Sequence, residues 1–149
     1  MRVIYMPNKR LLNKSITLFN YIGENDDGKA EYSVTYLDRV AIEKTTGYSA
    51  GTVSTNAADN VILFIFDRQS VAYDKYGDRK MFLPYLKWQK SEAKEAFWTI
   101  REESQKDFWV EGIVRDTEIK KLPETYRIIR ASHLQAGSTR MHHWEIVNE

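Results

Sequence analysis

Hydrophobic and polar residues alternate along the first third of the chain with the period of a β-strand. Ser15–Ile22 places every second side chain on the same face, as a strand does. Glu24–Gly28 follows, and its Asp-Gly pair is a strong signal for a hairpin turn. Ala30–Leu37 then returns as a strand, Asp38-Arg39 allows a bend, and Val40–Lys44 continues in the same direction. The pattern therefore predicts a β-meander.

Polar segments and one apolar run follow the meander. Gly47–Asn60 is small, polar and unpatterned, which is typical of a loop that is either functional or disordered. Val61–Phe66 is an uninterrupted apolar run of strand length, which we expect to be buried on both faces. Tyr73–Lys80 is a second polar connection. The middle of the chain is thus predicted to hold one buried strand between two loops.

The segment Ser91–Glu103 has features of both a helix and a strand. Apolar residues recur there at helical spacing and Ser91 is a suitable cap, but Phe97–Ile100 is aromatic and β-branched. We predict a short helix over Ser91–Ala96 and a strand that begins near Phe97.

The pattern in the last third of the chain predicts three further strands. Asp107–Arg115 is predicted to be a strand with a bulge at Gly112, and Thr117–Leu122 is expected to form one helical turn. Tyr126–His133 and Met141–Val147 form a terminal hairpin joined by a turn at Gln135–Thr139.

The elements together predict a mainly β fold. About seven to eight mostly antiparallel strands, with one short helix and long loops, indicate a small barrel or sandwich. The length of 149 residues suits a single domain, which we place at 15–149. Residues 1–14 carry four basic residues and no acid, and we interpret them as an N-terminal arm.

Composition narrows the function classes. A net charge of +1 argues against a dedicated duplex-DNA binder, which normally has a strong basic excess. The absence of cysteine excludes disulfides and thiolate metal sites. The N-terminus lacks the apolar stretch of a secretory signal, and no apolar run is long enough for a spanning helix. A soluble protein made in the cytoplasm is therefore expected.

Three histidines are the first candidates for catalysis or metal binding. His142 and His143 are neighbours on a predicted strand, so their side chains should point to opposite faces. His133, on the preceding strand, could add one imidazole to either of them. A zinc site needs three or four protein ligands. We therefore expect packing or hydrogen-bonding roles and no metal site.

Carboxylates offer two further candidate sites. Asn25–Gly28 resembles the start of a calcium loop, but the alternating oxygen ligands and the closing Glu are missing, and a hairpin turn explains the segment better. Glu102, Glu103, Asp107 and Glu111 are close in sequence, as a glycosidase pair would be. Their charged neighbours indicate a solvated edge or turn instead.

Catalytic motifs are absent from the sequence. There is no nucleophile elbow, phosphate loop or dinucleotide-binding glycine pattern. A small hydrolase remains as a third hypothesis, which requires His133 and a carboxylate to share a cleft.

A binding module for single-stranded nucleic acid, similar to an oligonucleotide-binding barrel, is the second hypothesis. Small barrels of that type combine basic residues with exposed aromatics. Arg127 and Arg130 flank Ile128-Ile129, and Lys87 precedes Trp88. Acids nearly balance bases along the chain, so no basic stripe emerges outside the N-terminal arm.

Five segments together resemble small phage and prophage proteins of Gram-positive bacteria, of the minor capsid or neck type. The segments are Thr17–Tyr21, Leu37–Glu43, Asn56–Ile65, Asp107–Val114 and His142–Ile146. The resemblance covers the chain from about Ser15 onward. The sequence departs from the family pattern at Arg68–Lys90, where such proteins often have a short proline-containing link.

The resemblance implies a structural subunit for head completion or head–tail joining, with no enzymatic activity, no catalytic residue, no cofactor and no small-molecule substrate. Such subunits form small barrels with long loops, and they sit in homo-oligomeric rings between the portal or adaptor and the tail. It also implies assembly in the bacterial cytoplasm and residence in the virion neck. We expect Gly47–Asn60 and Met1–Lys14 to contact neighbouring subunits, because loops and termini often become ordered on binding.

Overall fold

The computed structural model describes residues 11–45, 60–102, 104–115 and 122–148. The strands in this part of the chain are β1 (Lys14–Glu24), β2 (Ala30–Thr45), β3 (Asn60–Phe66), β4 (Val71–Tyr73), β5 (Met81–Phe82), β6 (Phe97–Trp98), β7 (Ser104–Glu111), β8 (Thr125–Leu134) and β9 (His143–Asn148). They are accompanied by the helix α1 (Tyr85–Lys90) and by single 3-10 turns at Lys94–Ala96 and Thr139–Met141. The predicted mainly β fold is confirmed.

Six of the strands close into a ring of antiparallel pairs. The order is β1-β7-β8-β9-β3-β2, and β2 pairs back onto β1. β4 adds a seventh strand to this sheet by pairing with β2, while β5 and β6 form a separate parallel pair. The ring corresponds to the barrel, which was one of the two options, barrel or sandwich, that the sequence predicted. None of the described helices is long and apolar enough to cross a membrane.

The long strand β2 pairs with two neighbours in the ring, β1 and β3. Its first part, up to Val40, pairs with β1, and Ala41–Thr45 pairs with β3. Between these parts Arg39 has a φ of 59° and no partner in the β1 register, which shifts there. Such a bulge bends a strand and increases its twist. The bend predicted at Asp38-Arg39 is therefore present and turns β2 from one neighbour to the other.

Alternation places a continuous apolar core inside the ring. Every strand of the ring contributes inward residues, and Trp98 and Ile100 add to them: the core includes Ile16, Leu18, Leu37, Val40, Leu63, Ile65, Trp109, Tyr126, Ile128, Trp144 and Ile146. The Trp109 ring stacks on Tyr126 at 4.5 Å, and its Nε1 donates a 2.7 Å hydrogen bond to Asn148 Oδ1.

Two strands of the ring differ in how far their two faces are buried. In β3, Val61, Leu63 and Ile65 are buried on one face. On the other face Phe66 is buried but Ile62 and Phe64 are only half-buried, so the prediction of burial on both faces was wrong for those two positions. In β1, Ile16–Asn20 is buried on both faces. A second cluster covers the outer side of β1 and consists of Phe19, Phe108 and Val110 with Tyr32, Val34, Val114 and Leu122. Burial therefore depends on what packs outside each strand.

The helix lies earlier in the chain than predicted. It begins after Pro84, whose missing N–H costs nothing at a helix start, and the buried Trp88 anchors it. The helix ends at Ser91, where the backbone becomes extended, and the Ser91 N–H donates to the Trp88 carbonyl. Only the 3-10 turn Lys94–Ala96 falls within the predicted range, and a strand does begin at Phe97.

The strand predicted over Asp107–Arg115 ends earlier, at Glu111. Gly112 has a φ of +88°, a conformation that favours glycine, so it turns the chain out of the strand and does not form a bulge within it. The Thr17 hydroxyl donates to the Gly112 carbonyl at 2.8 Å and accepts from the Val114 N–H at 2.9 Å. β1 thereby fixes the exit of β7.

The other predicted segments have different outcomes. The terminal hairpin is present, but its second strand begins at His143, because Thr139–Met141 forms a 3-10 turn. Two predicted segments lie outside the described residues: the loop Gly47–Asn60, except its last residue, which begins β3, and the turn Thr117–Leu122, except Leu122. Residues 1–10 of the predicted arm also lie outside them. Leu12 is buried and Lys14 pairs with Val40, so the end of that segment belongs to the domain.

Candidate functional site

A groove of about 620 Å³ lies where the end of β8 and the start of β9 meet the segment around α1. We call it the aromatic groove; it is lined by Phe82, Pro84, Tyr85, Leu86, Ile100, Arg101, Glu102, His133 and Trp144. Its size falls within the range of ligand and peptide pockets.

Aromatic contacts shape this groove. Phe82 packs edge-on against Trp98 at 5.0 Å and lies 5.7 Å from Trp144, so β5 is attached to the core of the ring. The Arg101 guanidinium lies 4.1 Å from the centre of the Tyr85 ring, a cation–π contact. Leu86 is 71% exposed, which leaves an aliphatic side chain on the rim in contact with water. The groove thus offers apolar surface with one fixed cation.

His133 has a fixed orientation in the aromatic groove. Its ring stacks on Trp144 at 4.5 Å with an interplanar angle of 11°, and its Nε2 lies 2.7 Å from Asp67 Oδ2. Since an ionised carboxylate only accepts, Nε2 carries the proton in this contact. Asp67 is not among the residues that line the groove, and the carboxylate that shares the groove with His133 is Glu102. Among the residues lining the groove, however, the only hydroxyl belongs to Tyr85, and no serine, threonine or cysteine is there.

The other two histidines do not join His133. His143 stacks on Phe66 at 4.8 Å, and its ring nitrogens lie 2.8 Å from the Met141 carbonyl and 3.3 Å from Glu145. His142 precedes β9, so the prediction that it shares a strand with His143 was wrong. In the described part of the chain, no group of three His, Cys, Asp or Glu residues is placed to hold a metal ion.

The three described members of the carboxylate group that is close in sequence have different surroundings. Glu102 lines the aromatic groove, Glu111 lies near Lys14 and Lys44 at 3.7 and 3.3 Å, and Glu103 lies outside the described residues. Asp107 is only 2% exposed, so the expectation of a solvated carboxylate was wrong there.

The Asn25–Gly28 segment forms the predicted hairpin turn. The Asn25 side-chain oxygen accepts from the N–H groups of Asp27 and Lys29, each at 2.9 Å. The oxygen that a calcium ion would need thus serves the turn.

Asp107 belongs to a buried polar network that the sequence analysis missed. Its carboxylate accepts from the Tyr21 N–H at 2.8 Å and from the Asn20 side-chain amide at 3.3 Å. Asn20 also donates to the Thr99 carbonyl at 3.0 Å and accepts from the Thr99 N–H at 3.4 Å. The signal was present in the sequence, because Asn20 occupies an inward position between apolar residues of β1. The network attaches the segment after β6 to the ring.

A buried lysine was also missed. Lys80 is 4% exposed, and its Nζ donates to the Ser33 hydroxyl and the Val34 carbonyl, both at 3.0 Å. Burial lowers the pKa of Lys80 to about 8, although Glu95 and Asp74 act in the opposite direction. Its position in the polar segment Tyr73–Lys80 gave no indication of this burial.

A second cleft, of about 360 Å³, lies on the outer face of the ring. We call it the tyrosine cleft; it is lined by Tyr21, Glu24, Ala30, Tyr32, Lys106, Phe108, Thr125 and Arg127. Of the basic residues singled out in the sequence, Arg127 lines this cleft, whereas Arg130 and Lys87 line neither the cleft nor the groove.

Comparison with known proteins identifies the family. A family model described as a family of unknown function, DUF6751, matches residues 11–149. The chain belongs to this family. No curated protein and no solved structure matches it. The family match covers all strands of the ring and both concave surfaces described above.

Proposed function

We propose that this DUF6751 protein is a structural subunit of a bacteriophage or prophage particle, without enzymatic activity. It acts by protein–protein contacts in the head–tail connector, where it forms part of a homo-oligomeric ring next to portal, adaptor or tail subunits. The resemblance of five segments to minor capsid and neck proteins motivates this proposal. The aromatic groove is the single structural observation that carries it.

The aromatic groove suits a protein partner better than a small polar substrate. Tryptophan, tyrosine and arginine, the residue types enriched at the energetically dominant positions of protein interfaces, are all present in its lining, together with a phenylalanine. Leu86 on its rim and the nearby Met81, which is 64% exposed, are large apolar side chains in contact with water. Covering such side chains is favourable by about 25 cal/mol for each Å² removed from water.

The segment Arg68–Lys90, where the sequence departs from the phage-family pattern, supplies four of the nine residues that line this groove. It contains β4, β5 and α1, and therefore Phe82, Tyr85 and Leu86. We infer that this longer connection forms the contact surface for a partner. The segments Met1–Lys14 and Gly47–Asn60 are proposed as further contacts on the strength of their sequences alone.

Immunogold labelling of purified particles tests the proposal. Particles induced from a host that carries a tagged copy of this gene should bind gold at the junction of head and tail. Particles that contain no tagged protein at that junction would refute the assignment.

A pair of variants tests the aromatic groove. Leu86→Glu should abolish incorporation into particles while the thermal midpoint of the isolated protein stays the same, because the side chain is exposed. Tyr76→Glu is the matched control, since Tyr76 is 77% exposed and does not line the groove. Equal incorporation of both variants would mean that the groove is not the contact surface.

A further inference from the structure

We propose that the tyrosine cleft binds single-stranded nucleic acid, with one base stacked on its tyrosines and the flanking phosphates held by Lys106 and Arg127. This site is distinct from the aromatic groove, and it does not depend on the proposed role in a phage particle.

The floor of the tyrosine cleft is aromatic. Tyr21 and Tyr32 are direct partners across β1 and β2, with ring centres 5.8 Å apart. Tyr32 packs edge-on against Phe108 at 5.2 Å, and Phe108 stacks on Phe19 at 4.6 Å. The phenylalanines are buried, whereas both tyrosines remain half-buried. The inner rings thus fix the outer ones, which keep part of their surface accessible. Bases of any identity stack on such rings.

Two basic side chains, Lys106 and Arg127, lie beside these aromatic rings. Lys106 Nζ lies 4.4 Å from the centre of the Tyr21 ring. Arg127 pairs with Phe108 in the register of β7 and β8 and is exposed. It is close enough to oppose the rise in the pKa of Tyr32, which burial causes with smaller contributions from Tyr21 and Asp107. The two positive side chains are placed to contact the phosphates that flank a stacked base.

The charged residues around Tyr32 favour an anionic ligand on one side of this ring. The tyrosine cleft contains one acid, Glu24, beside its two cations. On the other side of Tyr32, a neighbouring cleft of about 370 Å³ is lined by Glu31 and Glu95 and has no basic residue in its lining. An anionic backbone is therefore attracted to Lys106 and Arg127 and repelled from the other side. A volume of about 360 Å³ has room for one base with its sugar, so the site is short.

Fluorescence anisotropy with labelled oligo-dT and oligo-U, repeated at several salt concentrations, tests the proposal. Two phosphate contacts predict that the logarithm of the affinity falls against the logarithm of salt with a slope of about −1.4. A labelled duplex of the same length should bind more weakly, because its bases are already stacked. The absence of salt-dependent binding to both single strands would refute the site.

Variants separate this site from general attraction to charge. Arg127→Gln should reduce the salt slope by about 0.7, whereas Arg130→Gln, on the same strand but outside the cleft, should leave it unchanged. Tyr21→Ala should weaken binding roughly tenfold and Tyr21→Phe should retain it, since phenylalanine still stacks. Equal effects of Arg127→Gln and Arg130→Gln would overturn the proposal. Particle incorporation, the readout for the aromatic groove, is not expected to change in Arg127→Gln.

Discussion

The interior of the ring and its outer tyrosine cleft are both built from aromatic residues, but they use them differently. Inside, Trp109 has lost contact with water, stacks on Tyr126 and donates its N–H to Asn148. Outside, Tyr21 and Tyr32 contact each other and a lysine, and part of each ring stays exposed. Trp109 serves stability because its ring is fully buried and its N–H has a buried partner. An aromatic residue is available for binding where one side of the ring remains in water.

The largest expected effect on stability comes from removing one aromatic ring inside the barrel and comparing it with the removal of one outside. Trp109→Ala should lower the free energy of unfolding by about 3–5 kcal/mol, because it removes a buried ring and leaves a cavity. Tyr21→Ala should cost clearly less, because the side chain is half exposed. Denaturant unfolding followed by circular dichroism measures both. Similar losses for the two variants would mean that the outer cluster is as important for stability as the core.

The buried Lys80 predicts an unusual dependence of stability on pH. Its pKa is about 8 in the folded protein and 10.5 ordinarily, so between these values the unfolded chain binds a proton that the folded chain has released. Stability should therefore rise with pH through this window, by roughly 3 kcal/mol, and the penalty should be fully present below pH 8.

The variant Lys80→Met isolates this contribution. It should remove the rise in stability between pH 8 and 10.5. The contributions of Tyr32 and Tyr73, whose pKa values are raised mainly by burial, should stay unchanged. Those tyrosines act in the opposite direction above about pH 10, in the wild type and the variant alike. Urea unfolding at half-unit intervals of pH gives the two curves. Parallel curves would contradict the assignment to Lys80.

A matched pair of carboxylates extends the comparison to charged groups. Asp107→Asn should cost about 1–3 kcal/mol, because the buried network loses an ionised acceptor for the Tyr21 N–H and the Asn20 amide. Glu111→Gln should change stability by less than about 1 kcal/mol, since its contacts with Lys14 and Lys44 are partly exposed. Thermal unfolding at neutral pH measures both. A larger loss for Glu111→Gln would reverse the expected order.

The smallest effect on stability is expected at the aromatic groove. Leu86→Ser should change the free energy of unfolding by less than about 0.5 kcal/mol, because the side chain lies mostly in water. Differential scanning calorimetry provides the measurement. A loss above about 2 kcal/mol would show that Leu86 supports the fold and is not a free contact residue.

The sequence predicted the fold class because strand periodicity is a local property. Ser15–Ile22, the Asp27-Gly28 turn, the bend at Asp38-Arg39 and the terminal hairpin all correspond to elements of the structure. Each is determined by residues that are close in the chain. Ring closure was predicted only as one option beside a sandwich, because it depends on β9 lying between β3 and β8.

The aromatic groove and the tyrosine cleft could not be predicted from residues that are close in the chain. The aromatic groove combines Phe82, Arg101 and Trp144, which are separated by tens of residues, and the tyrosine cleft combines Tyr21 with Lys106 and Arg127. The burial of Lys80 and Asp107 likewise depends on contacts with distant strands. The misplaced helix has a local cause, since Pro84 was a better helix start than Ser91.

The position of β9 has a consequence for how the chain reaches its native state. Both neighbours of this strand, β3 and β8, precede it in sequence, so their facing edges remain unpaired until His143–Asn148 has been synthesised. Unpaired edges are templates for association with other chains. Nascent or truncated chains that lack the final strand should therefore aggregate, and a peptide spanning His143–Asn148 added in trans should suppress that aggregation.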